Sequence, residues 1–483
     1  MIRCSKCGTK NLPDADSCEN CGSDLTAESG KEDDSEHFEI EGNGSIAICE
    51  SEDEISDRVK EHFERGVRKL EKGSFERAVD EFDEVTSMEC DSAETWSNKG
   101  VAYAENREYD EAIKCYEKAI SIDPNLSEAW SNKGVAYYEK EEYGEAIKCF
   151  DRVIELDPED AEAWAVKGSA YREKGEQEEA IKCYEKAVSL DPYYAEAWNN
   201  KGLAHKRAGE HDEAIKCFDE AISIDPDYPE AWAMKGVTYY EQEEYDDAIE
   251  CFDEVTDLDP EDGEAWAVKA SAYREKGEQD EAIRCFEKAT SLESEDAEAW
   301  NNKGAVHAEK EEYDEAINCY ERAFSIDPEL VQAWYNKGNA YYDKGEYEEA
   351  IECFEKATSL NPEDPKAWNN KGAVHAEKEE YDEAINCYEK ASSIDPDLVQ
   401  AWYNKGYAYY QQGEEDEAIS CFDKVTSIEP DDPEAWSNKG IIFKEKGRLN
   451  KAKDCLEKAL DLEPKMTPIQ SKLSELKEEL PDS

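Results

Sequence analysis

Every 34 residues this chain returns to the same pattern. Its eleven tryptophans (Trp96, Trp130, Trp164, Trp198, Trp232, Trp266, Trp300, Trp334, Trp368, Trp402 and Trp436) are each 34 residues from the next, and eleven cysteines from Cys115 to Cys455 keep the same spacing. A period of that length means one supersecondary unit used repeatedly, each copy too small to bury a core alone. Length by itself would suggest about three independent domains; repetition overrides that prior.

One unit runs from Ser127 to Asp160, SEAWSNKGVAYYEKEEYGEAIKCFDRVIELDPED. With Ser127 as slot 1, Trp130, Gly134 and Tyr137 fall at i, i+4 and i+7, on one face of a first helix. Gly134 costs about 1 kcal/mol against Ala in a helix, so its place there points to close approach by a partner helix. Ala146, Phe150 and Val153 repeat the spacing on a second helix. Asp157-Pro158 ends it, because Pro disfavours the α conformation in the residue before it. The unit is therefore an αα-hairpin whose apolar face needs a neighbour. In stacked units equivalent Cα atoms lie too far apart for disulfides, at ~8–10 Å between helix axes. The periodic cysteines are accordingly expected to be reduced, buried thiols in a reducing, cytoplasmic compartment.

These residues and this period resemble the tetratricopeptide repeat (TPR) family. Twelve units fit, from Val59 to Met466, covering 408 of the 483 residues. The resemblance implies an all-α fold: a right-handed α-solenoid of helix-turn-helix repeats whose first helices line a concave groove that holds extended peptides. Some units depart from the pattern. His62 and Cys90 take the Trp and Pro slots of the first, and Ala270 and Ser294 the Gly and Pro slots of the seventh. His205, His307 and His375 replace the slot-11 Tyr, and packed core histidines are expected there. Slot 7, often Leu in the family, is mainly Lys (Lys99, Lys133, Lys167), which is expected to loosen the hairpin's apolar contact. Residues 467–483 follow the last unit. Thr467 reads as an N-cap, and Ile469, Leu473 and Leu476 form the stripe of a helix that covers the array's end. Asn301–Glu321 is identical to Asn369–Glu389, the mark of a two-unit duplication.

Residues 1–25 are a different kind of segment. Cys4-Ser-Lys-Cys7-Gly8 and Cys18-Glu-Asn-Cys21-Gly22 are two CxxCG turns, and four thiolates so arranged form a closed tetrahedral site for a structural Zn²⁺. The segment resembles the short zinc ribbons that begin many archaeal and bacterial multidomain proteins, and the whole chain is similar to archaeal proteins joining a zinc ribbon to TPR units. The competing reading, a redox CxxC pair, lacks a surrounding βαβ pattern. Residues 26–58 are acidic and Ser- and Gly-containing, with one apolar patch from Ile46 to Cys49, and read as a flexible tether.

Charge narrows the function. With 56 Lys and Arg against 123 Asp and Glu, the formal net charge is −67. A molecule this acidic repels phosphate, so nucleic acid is not an expected direct partner. No apolar run is long enough for a bilayer, and MIRCSKCGTK has no apolar stretch that would make a secretory signal. No Gly-rich phosphate loop or nucleophile–base arrangement stands out, and Asp257–Gly263 fails as a calcium loop because Asp262 and Val268 occupy the positions that need Gly and Glu. No enzyme is expected.

What the resemblance leaves is a scaffold that holds a protein or peptide partner, of basic or polar-neutral sequence, in its groove. The carboxylate clamp for chaperone tails needs Lys where this chain has Ser97, Ser131, Ala165 or Tyr335, so those tails are not expected partners. Slot 6 is Asn in eight units, five of them consecutive: Asn302, Asn336, Asn370, Asn404 and Asn438. A carboxamide both donates and accepts, so such a ladder can grip a peptide main chain, although the same Asn can equally serve its own helix. Tyr335, Tyr342, Tyr403, Tyr407 and Tyr410 cluster in the same units and suit a recognition surface. An alternative makes the zinc ribbon the guide to a nucleic-acid or transcription-associated complex, with the repeats as platform; Arg3, Lys6 and Lys10 are its only basic residues. The acidity also admits two origins, a cationic ligand or solubility in a salt-rich cytoplasm.

Overall fold

The computed structural model describes residues 2–3, 10–11, 54–88 and 92–479. Ile2–Arg3 pairs antiparallel with Lys10–Asn11, in the register Ile2 to Asn11 and Arg3 to Lys10. The remaining elements are twenty-five helices among the described residues. They divide into two compact units, Met1–Pro192 and Tyr193–Ser483. The first holds the strand pair and repeats 1–4, and the second holds repeats 5–12 and the final helix, Thr467–Glu479. The first helix of repeat 1, Glu54–Leu70, begins ahead of Val59, inside the stretch read as tether. No described helix is long and apolar enough to cross a membrane.

Repeat 3 shows why each hairpin closes. Its helices are Ser127–Glu139 and Tyr143–Leu156. Ala146 and Phe150 are wholly buried and Val153 nearly so. A Cβ built on Gly134 would lie 2.8 Å from Phe150 Cζ, so the aromatic ring of the second helix rests directly on the glycine backbone of the first. The same holds for Gly100 under Tyr116 and Gly202 under Phe218, where the added carbon would come within 2.5 Å of the ring. Each such ring contributes about 1.5–3 kcal/mol by leaving water. The hairpin turns with a left-handed residue at slot 15, Gly in repeats such as 9 and 11 (Gly345, Gly413) but Arg107, Glu141, Glu243, Glu311 or Glu379 elsewhere, with φ near +60°.

Between repeats, the slot-4 indole is the joint. Trp130 Nε1 donates to the Pro124 carbonyl at 3.1 Å, and Trp436 Nε1 to that of Pro430 at 2.8 Å. The ring must reach back to that turn, so it is partly rather than fully buried. Asp160, Asp262, Asp296, Asp364 and Asp432 cap first helices with their carboxylates; Asp160 Oδ1 accepts from Ala163 N at 2.9 Å. Ile469, Leu473 and Leu476 of the final helix are buried against Leu456 and Ile442 of repeat 12. Thr467 is the first residue of that helix rather than a cap before it.

Candidate functional site

Within each unit, neighbouring first helices approach one another, while second helices lack comparable contact among the described residues. First helices therefore form the inner side of the local curve, and their slots 2, 5, 6, 9, 12 and 13 make a wall. The structure places the slot-6 amides on it, bonded from one repeat to the next. Asn336 Nδ2 donates to Asn301 Oδ1 at 3.1 Å, and Asn404 Nδ2 to Asn369 Oδ1 at 3.1 Å. Asn370 Nδ2 donates to Tyr335 Oη at 2.9 Å and Asn339 Oδ1 at 3.0 Å, and Asn438 Nδ2 to Tyr403 Oη at 2.9 Å. Gln332 and Gln400 donate in turn to Asn336 and Asn404. Asn302 Oδ1 accepts from Asn301 at 3.4 Å. The row is a polar chain linking slot 6 of one repeat to slot 5 of the repeat before. In the first unit slot 5 is Ser97, too short to reach, and both Ser97 Oγ and Asn132 Nδ2 are buried without partners.

The tyrosines divide by role. Tyr335 and Tyr403 set their rings edge-on against Phe354 and Phe422, at centroid distances of 5.8 and 5.5 Å, and are half-buried. Their hydroxyls complete the amide chain. Tyr342 packs tilted against Tyr347 at 6.0 Å, Tyr410 donates to Glu445 Oε1 at 2.9 Å, and Tyr407 is exposed at 49%.

Two residue sets make pairings that the sequence did not suggest. The slot-7 lysines do not loosen the array; within each unit they span repeat junctions to the slot-25 acid of the preceding second helix. Lys167 Nζ stands 2.6 Å from Asp151 Oδ1, Lys269 the same distance from Asp253, and Lys337 2.8 Å from Glu321. The same ammonium lies over two rings, Trp164 at 5.1 Å and Tyr171 at 5.8 Å for Lys167. Burial works against the charge on Lys167, but Asp151 outweighs it and holds the ammonium above its usual range. The slot-11 histidines are packed, their side chains only 12% exposed, but keep a polar edge: His205, His307 and His375 pair through Nδ1 with Glu210, Glu312 and Glu380 at 2.6–2.8 Å. Sequence reasoning missed both, although acids at fixed offsets (16 residues before the Lys, five after the His) were the available signal.

The periodic thiols are buried and free, and burial pushes those of Cys149 and Cys251 up to about 12, which makes them poor nucleophiles. Cys4, Cys7, Cys18 and Cys21 lie outside the described residues, as do the Ile46–Cys49 patch and Cys90. Among the described residues no group of acids, thiols and imidazoles is arranged to hold a metal.

One concavity of about 330 Å³ opens in the wall across repeats 7–9, lined by Arg274, Asn302, Asn336, Asn339 and Asp343 with Ala305, Ala308 and Ala340 between them. Arg274 is held by Glu309, its Nε 2.7 Å from Oε1.

Comparison with known families matches most of the chain. A model described as tetratricopeptide repeat matches residues 93–126, 127–160, 195–228, 229–262, 399–432 and 433–466, and a second of the same description matches 149–182. A TPR repeat model matches 168–209 and 374–413, and one for the C-terminal domain of cilia and flagella-associated protein 70 matches 265–378. A zinc-ribbon domain model matches residues 3–25. Curated protein sequences give no match. Among solved structures, YrrB, described as a TPR protein with an unusual peptide-binding site, is 28% identical over 39% of this chain and 96% of its own, with a TM-score of 0.35. MamA is 30% identical over 33% of this chain and 94% of its own, at 0.32. The APC/C hetero-tetramer Cut9–Hcn1 is 16% identical over 87% of this chain and 96% of the matched one, at 0.41.

Proposed function

The chain belongs to the tetratricopeptide repeat family, and from that premise we propose that it is a non-enzymatic scaffold that holds an extended segment of a partner protein against its first helices. The observation that carries this reading is the amide chain of repeats 8–12. A carboxamide offers two donor and two acceptor positions, and the repeat-to-repeat bonds use only part of them. Asn302 Nδ2 and Asn438 Oδ1 make no bond among the described residues, and Asn336 and Asn404 each keep one amide hydrogen. The internal bonds fix the amides in orientation before a partner arrives, which lowers the ordering cost of binding. Tyr342, Tyr407 and Tyr410 add aromatic surface beside them, and Gln332, Gln400 and Gln411 take slots where most repeats carry acids. That stretch would take a polar-neutral or basic segment, read largely through its main chain.

The test is a peptide array probed with the full chain and with a variant carrying Asn336→Ala, Asn370→Ala and Asn404→Ala. Binding should weaken across most captured peptides whatever their side chains; an unchanged binding profile refutes the reading.

The zinc-ribbon match supports a structural Zn²⁺ at residues 1–25, with Cys4, Cys7, Cys18 and Cys21 as its four thiolate ligands. Four sulfur ligands leave no open position for catalysis. Purified protein should hold one zinc per chain and lose it on Cys18→Ser with Cys21→Ser, and undiminished zinc in that variant removes the assignment.

A further inference from the structure

A recurrent pairing runs along the wall of the second unit. In four places the slot-12 side chain of one repeat stands against the slot-13 acid that follows it. Lys206 meets Glu241 at 2.9 Å, Arg274 meets Glu309, Tyr410 meets Glu445, and Lys444 meets Glu479 of the final helix at 3.7 Å. In two repeats slot 12 is alanine, Ala308 and Ala376, and the partner is missing. After Ala376 the slot-13 position is the neutral Gln411. After Ala308 it is still an acid, Asp343, and that carboxylate has no hydrogen bond or ion pair among the described residues.

Asp343 also edges the concavity of about 330 Å³, and Ala308, together with Ala305 and Ala340, supplies the space. A cavity therefore stands where its neighbours have a cationic or hydroxyl side chain, beside the acid that such a side chain would have met. We propose that this pocket receives a lysine or arginine side chain from the bound partner segment, with Asp343 as its counter-ion and the amides of Asn302 and Asn336 at its rim. The inference rests on the peptide-binding reading above and names the side chain recognised there. Asp343 is itself exposed to solvent, and the wall beside it raises its carboxyl from the ordinary carboxylate value. The duplication provides an internal comparison. Repeats 10 and 11 repeat the asparagines and alanines of repeats 8 and 9 but carry Tyr407 and Gln411 for Asn339 and Asp343, so the second copy lacks the charge.

The experiment uses the full chain and an array of short peptides in which each lysine is replaced in turn by norleucine. Among peptides that bind, one lysine position should matter, its replacement weakening binding roughly fivefold. In Asp343→Asn the lysine and norleucine forms should bind alike. In Ala308→Arg, which supplies Asp343 with an internal partner and fills the space, the preference should vanish in the same way. Asp257→Asn, an equal change of charge on an exposed part of a second helix, should keep it. A lysine preference that survives in both Asp343→Asn and Ala308→Arg overturns the pocket while leaving the peptide reading intact; absence of any peptide binding by the unmodified chain overturns both.

Discussion

A single lysine per repeat shows how one residue type can serve two neighbours. Its four-carbon stem lies along the slot-4 and slot-11 rings of its own repeat, and its ammonium crosses to the acid of the preceding one. The two charges are not equivalent. The Lys167 side chain is 13% exposed, whereas the Asp151 side chain is half exposed, so removing each leaves a different remainder. Asp151→Asn strands a mostly buried cation and should cost about 1–2 kcal/mol. Lys167→Leu leaves a solvated carboxylate and returns an apolar side chain to the two rings, so it should change stability by less than about 1 kcal/mol in either direction. Urea unfolding of both variants measures the asymmetry. If Lys167→Leu is the more destabilising, the ammonium over the two rings rather than the stem holds the junction.

At the scale of the helix, what the sequence revealed and what it hid follow from where the partners are. Gly134 under Phe150 was legible because both sit in one hairpin at fixed helical offsets, and close contact tolerates few residue types. The buried alanine of slot 20 and the covering stripe of Ile469, Leu473 and Leu476 were legible for the same reason. The lysine bridge was not, because its acid belongs to another hairpin and polar residues at a surface carry no such steric signature. The amide row was seen as a row, but not that it bonds to itself, since that depends on Asn301 and Asn369 lying one slot away in the neighbouring repeat. The left-handed slot 15 stayed hidden for a third reason. Glycine, glutamate and, at Arg107, arginine share it, and a non-glycine residue costs only about 1 kcal/mol there, little enough for twelve repeats to accept in several places. The four ribbon cysteines were read from spacing alone.

For the molecule as a whole, charge decides which forces salt will strengthen. Most slot-7 lysines, and slot-14 lysines such as Lys140, Lys276 and Lys344, are committed to bridges between repeats, which leaves the excess of acid on exposed surface. The bridges at slot 7 are short and largely buried on the lysine side, so added salt screens them little. Repulsion among the exposed carboxylates acts over longer distances, and the screening length falls from about 10 Å at 0.1 M to about 3 Å at 1 M. Repulsion should therefore weaken faster than attraction, and the melting temperature should rise as KCl goes from about 0.1 M to 1 M. Binding of a lysine-bearing segment should move the opposite way, because its approach is helped by the same field that destabilises the fold. Calorimetry and peptide titration over one KCl series separate the two effects. A melting temperature that falls steadily with salt would mean that the bridges outweigh the repulsion, and that the net charge of −67 costs the folded array little.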